Sequence, residues 1–287
     1  MTKKISYLIF KLIFFLNYLL EKFLKRNILM YFKEFLEENS YKTIFICKKQ
    51  IIFFTPNFIT KWRVDSFYTK EPETLEWIDK FDDKKKIVFW DIGANIGLYS
   101  IYAASKFENI EVTAFEPSTS NLRILSRNIS KNNLSSKIKI NQFPLTDQKN
   151  KFLEMQEPEF IEGWSMNSFG ENIDFEGKTF MPKNKYRVYG TSIDYLLENN
   201  ILEIPNYIKI DVDGIEHLIL EGGKSFLKDK KIKSISVELN EKFVAQYNEV
   251  MNIMKSSNFY LKHKKHSDEL EKSVKFSRLY NFVFEKK

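Results

Sequence analysis

Residues 88–104, VFWDIGANIGLYSIYAA, constrain the fold more than any other stretch of the chain. With Ile87 they open as a short apolar run, IVFW, of the kind that forms a strand buried on both faces. Asp91 ends the run, and Gly93 and Gly97 follow with three residues between them. Leu98, Ile101 and Tyr102 then recur at helical spacing, supported by Ala103 and Ala104. Strand, glycine turn and helix are the opening of a βαβ nucleotide-binding unit. Glycine serves where the backbone takes positive φ and where a ligand comes close without meeting a Cβ. The helix behind the turn aims free N–H groups and a partial positive charge at that ligand.

The spacing narrows the ligand. A dinucleotide site uses G-x-G-x-x-G, whereas this chain has G-x-x-x-G with Asp91 two residues upstream, which disfavours a nicotinamide oxidoreductase. An acid before a looser turn suits an ammonium group better than a pyrophosphate. Residues 110–116, IEVTAFE, read as a second strand ending in Glu116, placed to accept two hydrogen bonds from a ribose diol. Amino-acid head, ribose and adenine together describe S-adenosylmethionine. The expected cofactor residues are Asp91, Gly93, Asn95, Gly97 and Glu116. Asp147, after a third strand at 138–143, is placed to reach the adenine amino group, with a turn-forming acid as the alternative. For Glu116 the alternative is a helix cap or a surface acid.

Four segments together resemble one family: DIGANIGLYS, FEPSTSNLRILSRNI, YIKIDVDGIEHLILEGG and SISVELN are similar to the FkbM-type S-adenosylmethionine-dependent methyltransferases. The resemblance spans about residues 56–287 and includes the upstream TKEPETLEWI. It implies a class I methyltransferase fold, α/β and Rossmann-like. The sheet would be doubly wound, mostly parallel and seven-stranded, with an antiparallel last strand. It also implies methylation of a hydroxyl oxygen on a glycan, glycolipid or other small acceptor.

The first 26 residues are the second informative stretch. They are strongly apolar, yet Lys4, Lys11, Tyr18 and Lys25 stand seven apart with Lys22 beside them, so a helix puts them on one stripe. Lys11 leaves too short an apolar run for a span, which needs about 20 residues. A helix lying in a membrane interface is expected, with packing on the domain or on a second subunit as the alternative. No small-residue cleavage site follows, so a removable signal peptide is not expected. One cysteine, Cys47, suits a reducing compartment. The expected location is cytoplasmic, peripheral on the inner membrane face. The net charge of +7 comes from lysines scattered among 38 acids without a dominant run, so no nucleic-acid partner is favoured.

The expected organisation is an amphipathic helix at 1–28, an extension at 29–80 with a hairpin from TIFI and IIFF, and a methyltransferase domain at 81–287. A helix begins at Pro72, and Glu71, Glu73, Trp77 and Arg63 before the first core strand are candidate lining residues. Ser118 is expected to cap a helix through Asn132. Residues 147–190 are too long for a plain connection and read as an acceptor-site insertion. Strands at 207–211 and 234–239, then 258–262 and 280–285, complete the sheet.

Ligands in such sheets bind outside the carboxyl ends of the strands, which puts Asp211 and Glu238 on the rim as candidate catalytic residues. Asp211 is the candidate general base, because Asp213 and Glu216 crowd negative charge beside it and crowding raises a carboxyl pKa. Asp213-Gly214-Ile215-Glu216 has the D-x-x-E spacing of a capping arrangement, so Asp213 is assigned to the following helix. A divalent metal held by Asp211, Glu238 and Asn240 is a minority reading and is not favoured. A nucleic-acid methyltransferase is the alternative function, although DVDG replaces the Asn/Asp-Pro-Pro-aromatic segment that base methylation commonly uses. A non-catalytic membrane-attached binding protein is the other.

Overall fold

The computed structural model describes residues 1–287, which form two compact units, 1–42 and 43–287. In the first unit α1 (Thr2–Leu24) ends at Lys25 in the left-handed conformation, and α2 (Leu29–Glu38) follows. Asn17 on α1 is buried, and its Oδ1 accepts from the backbone N–H groups of Ile28 and Leu29 at 2.8 and 3.2 Å. That bond satisfies donors the start of α2 would otherwise leave open. Ile5, Leu8, Ile9, Leu12, Leu16 and Phe23 recur three or four apart along α1, and all are exposed. No helix of the chain is long and apolar enough to cross a membrane.

The second unit opens with a hairpin of β1 (Tyr41–Ile46) and β2 (Lys49–Phe54). Cys47 and Lys48 between them both have positive φ, as a tight two-residue hairpin turn requires. Two helices, α3 (Phe58–Asp65) and α4 (Pro72–Ile78), follow, the latter with Pro72 in its first turn. The βα alternation then runs β3 (Ile87–Ile92), α5 (Leu98–Lys106), β4 (Ile110–Phe115), α6 (Thr119–Lys131) and β5 (Ile138–Asn141). The hairpin is tied to α6, whose Asn128 and Asn132 accept from Phe54 N and Ile52 N at 2.7 and 2.8 Å.

Residues 147–190 build a small antiparallel sheet of their own, from β6 (Lys151–Glu157), β7 (Ser168–Phe169) and β8 (Asn184–Gly190) in the order β7-β6-β8. The main chain resumes with α7 (Ile193–Glu198), β9 (Tyr207–Ile210), α8 (Glu216–Glu221), β10 (Ser234–Asn240), α9 (Val244–Ser256), β11 (Phe259–Lys265), α10 (Asp268–Glu271) and β12 (Leu279–Lys286).

The large sheet has seven strands in the order β11-β12-β10-β9-β3-β4-β5. Strands β10, β9, β3, β4 and β5 are parallel, whereas β12 is antiparallel to both of its neighbours. The fold is thus the expected doubly wound sheet. Strand order reverses between β3, first of the βα units, and β9, and their side-by-side pairing opens the crevice where such folds take ligands. Trp90, Phe89, Ile208, Ile210, Val237 and Phe282 are essentially excluded from solvent and form the middle of the core. Burial on both faces of the parallel strands explains why IVFW and YIKI lack alternation.

Candidate active site

Parallel register brings the strand ends to one rim. Ile92 lies beside both Phe115 and Ile210, so the residues that follow emerge together. The turn after β3 is pinned at both sides: Gly93 N and Ala94 N donate to Phe115 O, and Asp211 N donates to Ile92 O at 3.0 Å. Gly93 has φ +88, and a Cβ there would stand 1.9 Å from the Asp211 carbonyl oxygen. Glycine is therefore required by the neighbouring strand as well as by any ligand. Gly97, also at φ +88, turns its Cα toward Leu125, which a Cβ would meet at 2.5 Å. Its part is to close the turn against α6.

Glu116 is nearly excluded from solvent. Its Oε2 accepts from Asn95 N and its Oε1 from Ser118 N, each at 2.8 Å. Burial pushes its carboxyl up to about 7, against the pull of these two bonds. Each oxygen keeps a further acceptor site, and Glu116 borders a cavity of about 610 Å³. Gly93, Asn95 and Glu116 form one wall of this cavity, and Asp211, Asp213 and Glu238 form another. Trp62 and Arg63 from α3, Trp164 and Met166 from the insertion, and Leu270 and Phe276 from the β11–β12 connection complete it.

The insertion is fastened over the glycine turn. Trp164 O accepts from Asn95 Nδ2 at 2.9 Å and from Asn121 Nδ2 at 3.1 Å, and Gly163 N donates to Asn121 Oδ1 at 2.8 Å. Arg63 Nε donates to Gly163 O, and Asn57 Nδ2 donates to Glu162 O at 3.1 Å. Asn95 Oδ1 and Trp164 Nε1 are buried and have no protein partner, an acceptor and a donor left for a guest.

A charged network lies at the far wall. Carboxylate oxygens of Glu71, Asp211 and Glu238 fall within 4.8 Å of one another. Lys209, whose side chain is 2% exposed, donates to Asp211 Oδ2 at 2.7 Å, and Lys70 pairs with Glu71. Although burial opposes it, the Lys209 ammonium holds the Asp211 carboxyl down to about 2. Burial pushes the Glu238 carboxyl well above its usual range, and Asp211 and Glu71 push it further. Asp211 is therefore the more acidic of the pair, and Glu238 the one that holds a proton more tightly. The three carboxylates lie close enough to share a cation, but two of them are already paired, Asp211 with Lys209 and Glu71 with Lys70.

Of the residues expected from sequence, Gly93, Asn95, Glu116, Asp211 and Glu238 line one cavity. Asp91 lies beneath the turn, fully buried, with Oδ2 accepting from Ser100 Oγ at 2.6 Å and Oδ1 without a partner. Asp147 is not among the lining residues, and its carboxylate accepts from Thr146 Oγ1 at 2.9 Å. The capping role expected of Asp213 is replaced by another. Its Oδ2 accepts from Met166 N at 2.6 Å, while Glu216 accepts from Gly214 N. Asp213 takes φ 63, an unusual conformation for a residue other than glycine, and faces the cavity. Burial and the neighbouring Asp211 charge raise its carboxyl to about 6, so crowding lifts Asp213 and Glu238 and not Asp211. Ser118 sits at the helix start, but its hydroxyl meets Ser120 Oγ and no backbone donor. Trp77 belongs to the core, where Nε1 bonds Ser234 Oγ, and Glu73 bonds Asn281.

Sequence reasoning missed Lys209, Lys70 and the role of Asp213. One signal was present for Lys209: a lysine inside the otherwise apolar strand YIKI has to be paired when buried.

The Methyltransferase FkbM domain profile matches residues 91–261, more than half of the chain. The chain belongs to the FkbM methyltransferase family. As a member it is an S-adenosylmethionine-dependent methyltransferase, and its cavity suits that cofactor. Glu116 and further acids stand on its walls, and Asn95 Oδ1 is an unfilled acceptor there, a lining that complements a sulfonium and an ammonium. No curated protein matches the chain.

Solved structures similar to the methyltransferase are distant. An S-adenosylmethionine-dependent methyltransferase from Aquifex aeolicus is 11% identical, covering 79% of this chain and 95% of its own, with a TM-score of 0.43. A precorrin-6y C5,15-methyltransferase from Geobacter metallireducens is 15% identical over 75% of this chain and 86% of its own, with a TM-score of 0.42. TrmK of M. capricolum in complex with S-adenosylhomocysteine is 13% identical over 75% and 67%, with a TM-score of 0.43.

Proposed function

We propose that the enzyme methylates a hydroxyl oxygen of a glycan, glycolipid or other small acceptor. The observation that carries this reading is one cavity holding Gly93, Asn95 and Glu116 on one wall and Asp211, the more acidic, with Glu238 on the other. The cofactor, when bound, supplies an electrophilic methyl group on sulfur. Asn95 and Glu116 hold its amino-acid and ribose ends, with Asp91 acting from below the turn. Asp211 accepts a hydrogen bond from the acceptor hydroxyl and so aims an oxygen lone pair at the methyl carbon. Its low basicity is no obstacle, because the hydroxyl proton becomes strongly acidic as the new C–O bond forms. Glu238 donates to Asp211 and keeps that carboxylate turned toward the acceptor. The aromatic and apolar wall of Trp62, Trp164, Met166 and Phe276 suits the faces of a ring-shaped acceptor. Incubation with methyl-labelled cofactor and extracted polysaccharide, lipid and RNA fractions tests the reading. Label that enters polysaccharide or lipid through an alkali-stable ether supports it, and label in RNA alone overturns it.

We further infer that α1 lies on an anionic membrane surface on the cytoplasmic side. The apolar face of Ile5, Leu8, Leu12, Leu16 and Phe23 is exposed and is flanked along one side by Lys4, Lys11, Lys22 and Lys25, the arrangement of an interfacial helix. Sedimentation of the full chain with vesicles of phosphatidylcholine and phosphatidylglycerol tests it. Charged substitutions at Leu12 and Leu16 should abolish sedimentation, and unchanged pelleting or a soluble dimer that needs these residues would refute it.

A further inference from the structure

We infer that Arg63 on α3 is the cofactor's carboxylate anchor, a binding role on an element outside the βα units. S-adenosylmethionine carries one carboxylate alongside its ammonium and sulfonium. The cavity it enters is bordered by Glu116, Asp211, Asp213 and Glu238, with Glu71 directly behind. Such walls welcome the two cationic groups and repel the carboxylate. A donor that is not already committed has to receive it, and a cation does so most strongly.

Four cationic side chains border this region: Lys275 stays on its exposed rim beside Met166 and Phe276, and two of the other three are taken. Lys209 is held by Asp211 at 2.7 Å, and Lys70 is held by Glu71. Arg63 is different. Its Nε is spent on the Gly163 carbonyl, which fixes the guanidinium plane, and neither terminal nitrogen is hydrogen-bonded or ion-paired. The head is half-buried at the cavity wall, stacked 6.0 Å from the ring of Trp62 beside it. Its charge is felt by Glu116 at the ribose end and by Asp213 and Lys70 at the acceptor end. That span is where the amino-acid head must lie if the ribose is on Glu116. The free edge of a fixed guanidinium offers two parallel N–H donors, the geometry that carboxylates accept.

Binding measured by calorimetry, without any acceptor, separates this role from others. S-adenosylhomocysteine has the carboxylate, whereas 5′-methylthioadenosine has the same adenine, ribose and sulfur but no amino-acid head. Arg63→Met should weaken S-adenosylhomocysteine by about 10–100-fold, the loss of a charged hydrogen-bonded pair, and change methylthioadenosine by less than about twofold. Glu162→Ala loosens the same loop, by removing its side-chain bonds to Asn57 and Arg123 while leaving the cap of α3 in place, and should treat the two ligands alike. Equal losses of both ligands in Arg63→Met would mean that Arg63 acts only by holding the loop, and unchanged binding of both would place it on the acceptor. Either result overturns the assignment. The inference rests on the cofactor placement proposed above, which has its own control. Glu116→Ala should weaken both ligands, since both carry the ribose. If it weakens neither, the placement fails, whatever Arg63 does.

Discussion

Replacing Lys209 by methionine keeps the length and the apolar stem of the side chain and removes its charge. The ammonium is buried, bonds Asp211 at 2.7 Å and lies 4.9 Å from the centre of the Tyr99 ring. Its field reaches Glu71 and Asp91 as well. In the native enzyme Asp211 is depressed to about 2 from an unfolded value near ~3.9, which corresponds to roughly 2.5 kcal/mol of stability. Because the folded value is the lower one, that contribution is present above about pH 4 and is lost as pH falls through about 2. In the variant the carboxylates remain, with burial and mutual repulsion unopposed. Breaking such a pair costs about 3–5 kcal/mol, or roughly 6–20 °C in melting temperature for a domain of this size.

The pH dependence carries the sharper test. Without Lys209 the folded pKa of Asp211 rises above its unfolded value, so the sign inverts. The variant is then stabilised by protonation, and its deficit against the native enzyme should grow from pH 5 to pH 8. Urea denaturation followed by circular dichroism at pH 5, 6.5 and 8 measures this. A deficit below about 1 kcal/mol, or one that does not narrow at pH 5, would refute the argument that Lys209 balances the network.

Gly93→Ala forces a Cβ to 1.9 Å from a backbone oxygen at positive φ, so it should cost about 2–5 kcal/mol and lower the melting temperature as well as cofactor affinity. Undiminished melting would show that the turn is looser than described. Glu238→Gln mimics the protonated acid and should leave the fold and S-adenosylhomocysteine binding within about twofold, by calorimetry, while a marked loss would mean that Glu238 is ionised. Asp211→Asn should lower turnover about 10²–10⁴-fold with little change in cofactor affinity.

Much of this arrangement is legible in the sequence because local rules and the fold agree. The strand, glycine turn and helix at 88–104, the Glu116 strand end, the 41–54 hairpin and the proline-led helix at 72 each follow from short-range chemistry. What short-range chemistry does not reach is pairing across the fold. Lys209 meets Asp211 two residues on, but its burial beside Glu71 and Asp91 depends on three elements closing together. Asp213 read as a cap because D-x-x-E spacing is a local pattern, and the bond it accepts from Met166 N of the insertion is not. Asp91 carries the expected motif and lies fully buried, because a strand residue before a turn points under it as readily as into the cavity. Arg63 is a lining residue as expected, but its tie to Gly163, a hundred residues later, follows no local pattern.

The position of β12 sets the order in which this protein can be completed. It pairs along Ser234–Asn240 on one side and with β11 on the other, so the strand that follows all others in sequence lies inside the sheet. During synthesis β10 must wait with one edge bare until residues 279–286 clear the ribosome, and β11 has nothing to rest on meanwhile. An emerging chain is therefore a nascent sheet with an open slot, the kind of edge that other strands or chaperones recognise. Stalling or premature termination near residue 278 should yield an aggregation-prone polypeptide and not a slightly shortened enzyme.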